Sequence, residues 1–128
     1  MNENTRFYIC SICGKVIGLI TDTGIPTVCC NKEMTLLIAN TSDGAIEKHM
    51  PTYEIDKQTE EIIVKVGNNP HPMETDHYIM WIAEVANNST TRIQLLPEQT
   101  PIVKLKYIKG ATLYSYCNKH GLWKTQID

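Results

Sequence analysis

The chain has 128 residues, 42% of them apolar and 20% charged, with a formal net charge of −2. That suits one β domain with a small metal-stapled module and leaves no room for two full-sized domains. The lysines and arginines are scattered, so no cationic face is expected and nucleic acid is excluded as a partner; no run approaches the length of a membrane span. The opening MNENTRFYIC lacks a basic segment followed by an apolar stretch, so a cytoplasmic protein with no membrane association is expected.

In chain order, residues 1–36 hold four of the five cysteines and few large apolar side chains. Phe7–Ile9 and Lys15–Thr21 are expected as short strands around the CSIC turn, with a bound metal supplying much of the folding free energy. A linker rich in small polar residues is expected around Asn40–Gly44, dividing the chain into residues 1–37 and 38–128. Glu61–Val66 alternates, with Ile62, Val64 and Val66 on one face, and Ile102–Tyr107 alternates through Val103, Leu105 and Tyr107, which predicts half-buried strands. Tyr78–Val85 (YIMWIAEV) is more continuously apolar, as a central strand covered on both faces would be. Thr91–Leu96 and Ala111–Tyr116 complete the series. Turn residues at Gly67-Asn68-Asn69-Pro70, Asn87-Asn88-Ser89, Pro97, Lys109-Gly110 and Gly121 separate these strands, and no stretch carries a helical stripe. The predicted fold class is all-β, an antiparallel sandwich of immunoglobulin-like kind behind a small metal-binding domain.

Cysteines at short spacing in a reducing compartment are metal ligands before they are disulfides. Cys10-x2-Cys13 lets two thiolates converge on one ion, and Cys29-Cys30, fifteen residues on, completes a four-sulfur set suited to iron or zinc. Neighbouring side chains diverge, so the adjacent pair requires a strained turn. The remaining donors are His49 in EKHMP, His71 and His77 in PHPMETDH, and His120 in CNKHG beside Cys117. His49 and His71 sit in turns next to prolines, His77 leads into the central strand and Cys117-x2-His120 follows the last strong one; a sandwich can gather the ends of different strands at one edge.

YICSICG, then VCC and Met34-x-x-Leu37, resembles desulforedoxin and the N-terminal domain of desulfoferrodoxin. EKHMPTYE, PHPMETDHYIMWIAE and YCNKHGLW resemble, in that order, the catalytic domain of superoxide reductases. Together the two resemblances cover nearly the whole chain. No ligand position departs from the pattern, although Met50 and Thr52 stand where small aliphatics are expected. The resemblance implies two iron ions per chain, one held by Cys10, Cys13, Cys29 and Cys30. The other would be held by four equatorial imidazoles, from His49, His71, His77 and His120, with an axial thiolate from Cys117 and an open sixth position. It further implies one-electron reduction of superoxide to hydrogen peroxide without release of dioxygen. Lys48 would draw the anion in, and Glu47 would occupy the open position after turnover. Rubredoxin or another small protein is implied as electron donor, and a homodimer as the assembly. Two other classes fit the residues less fully: a non-catalytic electron-transfer protein using the four-cysteine iron alone, and a zinc-binding interaction module. A visible spectrum separates all three, since zinc is colourless there and one or two ferric centres give one or two sets of bands.

Overall fold

The computed structural model describes residues 6–41, 46–67 and 71–128, with residues 46 and 47 described for their backbone only. Much of the expected linker, and three of the four residues in the Gly67–Pro70 turn, therefore lie outside the described residues. Among the described residues, twelve strands and one helical turn follow one another: β1 (Arg6–Ile9), β2 (Val16–Leu19), β3 (Val28–Cys29), β4 (Lys32–Glu33), β5 (Thr35–Leu36), α1 (Ile46–His49), β6 (Pro51–Asp56), β7 (Glu61–Val66), β8 (Ile79–Val85), β9 (Thr90–Gln94), β10 (Ile102–Lys106), β11 (Thr112–Cys117) and β12 (Gly121–Gln126). Seven strands form the sandwich, as a sheet ordered β10-β7-β6 against one ordered β12-β11-β8-β9. Every pairing in both sheets is antiparallel.

The alternating segments bury the faces expected of them. Ile62, Val64 and Val66 of β7 and Val103 and Leu105 of β10 meet Ile82 and Leu113 of the opposite sheet in the main core. Fully burying an aliphatic side chain of this size contributes about 1.5–3 kcal/mol, which makes this layer the main source of cohesion. β8 is buried on both faces because a second cluster covers the outer side of its sheet. Trp81, Ala83, Val85, Tyr114, Tyr116 and Leu122 pack there around Phe7 of β1. The Phe7 ring centroid lies 4.9 Å from that of Trp81 and 5.3 Å from that of Tyr114, edge-on to the latter. The thin N-terminal module thus borrows a core from the sandwich.

Near the end of β11 the register of β8 shifts. Tyr116 faces Trp81 while Cys117 faces Ile79, so Met80 is the extra residue of a β-bulge. The bulge turns Ile79 into the main core and re-aims the chain just before β8. β6 and β12 were not expected as strands, and α1 adds one helical turn to a chain in which no helical stripe was read. Asn40, at the start of the expected linker, is tied to β12: its side chain accepts from Lys124 N–H at 2.9 Å and its N–H donates to Leu122 C=O at 2.9 Å. No helix among the described residues is long and apolar enough to cross a membrane.

One carboxyl group is buried away from any centre. Glu84 of β8 is 2% exposed, and its Oε2 has no hydrogen-bond partner. Burial pushes its pKa from 4.5 up to about 7, opposed only by the charge of Lys106. The folded state therefore keeps a proton that the unfolded state has already released, and stability declines as pH rises from about 4.5 to about 7. Glu84→Gln should remove that decline and raise stability at pH 8 by on the order of 2–3 kcal/mol, since a tenfold change in proton affinity corresponds to about 1.4 kcal/mol. Denaturant unfolding of both proteins at pH 5 and pH 8 checks this.

Candidate metal centres

The first cluster forms on two tight turns. After β1 the chain folds back so that Gly14 N–H donates to Cys10 C=O at 2.9 Å and Cys10 N–H to Lys15 C=O at 2.8 Å. Gly14 has φ +81°, a conformation that side chains disfavour, and it lets the CSIC loop close. The second pair of cysteines sits on the β3–β4 hairpin, whose two-residue turn is Cys30-Asn31, with φ of 54° and 60°. Positive φ at both central residues is the signature of a primed hairpin turn. It brings Cys29 and Cys30 to the same ion, at a cost of roughly 1–2 kcal/mol for each residue other than glycine held in that region. This is the strained turn the adjacent pair requires.

The four sulfurs lie within 4.8 Å of one another. Cys13 Sγ and Cys29 Sγ are 3.7 Å apart, close to the roughly 3.8 Å between two sulfurs each about 2.3 Å from a tetrahedral ion. The N–H of Cys13, directed at Cys10 Sγ, brings the Cys10 thiol down to about 6, while hydrogen bonding to Cys10 and Cys13 pushes the Cys29 thiol up to about 12. One thiolate here suppresses ionisation of its neighbours, so four thiolates can coexist only around a cation. Cys10 is buried, whereas Cys13 and Cys30 are exposed, which puts this cluster at the surface.

The second cluster gathers His49, His71, His77, Cys117 and His120, again with donor atoms within 4.8 Å of one another. His49 ends α1, Cys117 ends β11, and His120 closes the turn into β12. Gly121 opens β12 opposite Cys117 with φ +77°, a conformation suited to glycine, so the CNKH turn can close. His49 and His71 are buried, and so is Cys117. His77 and His120 are partly exposed, so the thiol lies at the inner side and part of the imidazole set faces outward.

His49 Nε2 and His120 Nδ1 are 3.0 Å apart, the separation of two nitrogens about 2.1 Å from one ion at a right angle. His71 Nδ1 donates to Pro72 C=O at 2.6 Å, which fixes the tautomer and leaves a lone pair on Nε2. His71 Nε2 and His77 Nε2 are both buried without a hydrogen-bond partner. Burial lowers the His71 pKa to about 4, so that ring is neutral near pH 7 with its Nε2 lone pair free, and burial lowers the pKa of His77 as well. Burial raises the Cys117 pKa, while the N–H groups of Lys119 and His120 hold it down. Inward lone pairs beside a thiol, otherwise unsatisfied, are what a soft-to-borderline transition metal would satisfy.

Two supporting residues escaped the sequence reading. Ser115 Oγ donates to His49 C=O at 2.7 Å. The Trp123 ring stacks on His49, with centroids 5.0 Å apart, and its Nε1–H donates to His120 C=O at 3.0 Å. Trp123 lies in the YCNKHGLW segment, so its position in that motif was the available signal; Ser115 offered none. Lys48 is exposed in α1 beside His49. The side chain of Glu47, the other candidate in this loop, lies outside the described residues.

Comparison with known proteins covers nearly the whole chain. The desulfoferrodoxin family model matches residues 41–126, and the model of the desulfoferrodoxin N-terminal domain matches residues 2–37. A desulfoferrodoxin of Syntrophotalea carbinolica is 41% identical over 127 residues, covering 98% of this chain and 99% of the relative. A superoxide reductase of Pyrococcus horikoshii is 31% identical, covering 64% of this chain and 87% of its own. The crystal structure of the superoxide reductase from Treponema pallidum superposes with a TM-score of 0.74 at 25% identity, covering 98% of this chain and 99% of that one.

The two donor sets should load independently. Elemental analysis of the purified chain should give two metal equivalents, falling to one in Cys10→Ser and to one in His49→Ala. Loss of both equivalents in either variant would mean that the clusters depend on each other.

Proposed function

Since the chain belongs to the desulfoferrodoxin family, we propose that it is a superoxide reductase carrying iron at both donor sets, with catalysis at the histidine and cysteine set. The observation that carries this reading is the convergence of four imidazoles and one thiol within 4.8 Å. When bound there, ferrous iron supplies the single electron that superoxide takes up. With two protons from solvent, superoxide leaves as hydrogen peroxide, and no dioxygen forms.

The chain's own residues prepare that step. Neutral imidazoles from His49, His71, His77 and His120 add no negative charge, so the centre stays attractive to an anion. Cys117, buried behind them, adds a soft, electron-rich donor. Lys48 presents a cation at the surface next to His49 and draws superoxide in against the net negative charge of the protein. Glu47, next to it in sequence, would be the carboxylate that binds the iron after turnover.

The cluster of Cys10, Cys13, Cys29 and Cys30 reaches the surface through Cys13 and Cys30, which suits exchange of electrons with a small donor protein such as a rubredoxin. Residues 1–37 are read as this desulforedoxin-like module and residues 38–128 as the catalytic sandwich. Five free cysteines favour a reducing cytoplasm. Ile20 and Ile25, 92% and 76% exposed on the module, favour a homodimer that covers them.

The direct test is rapid mixing of the ferrous protein with superoxide. One hydrogen peroxide per superoxide and no dioxygen are expected; dioxygen release in the ratio of dismutation would defeat the reading. Cys117→Ser, which substitutes a hard hydroxyl for the thiolate, should abolish the reaction or lose the iron, and wild-type speed with iron retained would exclude a role for the thiolate.

Lys48→Ile should slow the second-order step by about 10-fold and flatten its dependence on salt, because steering of this kind is screened over about 8–10 Å. An unchanged rate and salt slope would leave Lys48 a solvated loop residue.

A further inference from the structure

Each donor of the histidine and cysteine set needs something to hold it in place. For His49 the holders are Ser115 and Trp123, for His71 the Pro72 carbonyl, and for His120 again Trp123. Cys117 sits in the paired end of β11. His77 is held differently: its Nε2 is buried without a hydrogen-bond partner, and it precedes β8 in irregular chain. Its own backbone closes a short turn, with Glu74 N–H donating to His77 C=O at 2.9 Å and His77 N–H to Glu74 C=O at 3.1 Å. That turn alone does not tie it to the sheet.

The tie comes from Asn118, the residue after Cys117. Its Oδ1 accepts from Tyr78 N–H at 3.0 Å and its Nδ2 donates to Asp76 C=O at 3.0 Å. The Asn118 N–H also donates to Tyr78 C=O at 3.2 Å. One side-chain amide thus engages the residues on both sides of His77. Asparagine offers an acceptor and a donor at that reach; aspartate has no donor when ionised, and serine is too short to bridge both groups.

Resting on the iron reading of this centre, we infer that Asn118 is the positioning residue that holds His77 at its distance from Cys117 and His120. It acts on the metal only through His77. Outer partners of this kind typically set metal affinity by about 10- to 100-fold.

The test uses the full chain loaded with iron, and Asn118→Leu and Asn118→Ala. Leu keeps the shape of the side chain without its donor and acceptor, so a fold-preserving variant is available if Ala is poorly behaved. Release of iron to a ferrous chelator from the histidine and cysteine centre should accelerate by at least about 10-fold in both. The sulfur-to-iron band of the oxidised centre should shift, while the bands of the four-cysteine centre stay in place. With His77→Ala already present, Asn118→Ala should change release by less than about 2-fold, because the residue it acts through is gone. Wild-type release in both single variants, or an undiminished effect in the His77→Ala background, would overturn the inference. Absence of iron from this centre in the wild-type chain would instead defeat the reading on which it rests.

Discussion

Two imidazole nitrogens held 3.0 Å apart repel each other unless a proton or a cation lies between them. Two further ring nitrogens, from His71 and His77, are buried beside them without partners, and unpartnered polar atoms of this kind each cost about 1–3 kcal/mol. The sandwich accepts that cost because its strand ends fix the rings from outside. The inward lone pairs have only one efficient remedy, a positive ion. The surrounding architecture follows from that demand: strands carry or support the donors, the outer nitrogen of His71 is hydrogen-bonded, and so are the backbone carbonyls of His49 and His120.

The second constraint is the weak core of residues 6–37. With Phe7 and Met34 as its large buried apolar side chains, the module cannot hold four mutually repelling thiolates by packing alone. Two things substitute for a core. One is the expected ion, which removes the repulsion. The other is Phe7, seated among Trp81 and Tyr114 on the outer face of the sandwich. The same aromatic layer covers β8, the strand that follows His77, and includes Tyr116, the neighbour of Cys117. The packing that anchors the module therefore also backs the strands that carry the second centre.

Both donor sets were legible in the residues because cysteine and histidine are few here and nearly all fall in short motifs with turn residues beside them. Strands β7, β8 and β10 were legible because burial of one or both faces writes a period into the sequence. β6 and β12 were not, since neither shows such a period. β6 opens on Pro51, which a central strand would not accept, and both carry polar residues on faces that a central strand would bury. The helical turn α1 is too short to leave a periodic trace.

What the sequence determined by itself was the chemistry: which atoms can bind metal, in two sets, and that an all-β scaffold carries them. Side-chain type and local period are properties of short segments, so they survive without the fold. What only the tertiary structure decided was how those atoms are held. Ser115 reaches a carbonyl 66 residues away and Asn118 grips a segment 40 residues away, and both act on backbone groups, which leave no mark on the residues they bind. Which nitrogen of His120 turns inward likewise depends on neighbours brought together by folding alone.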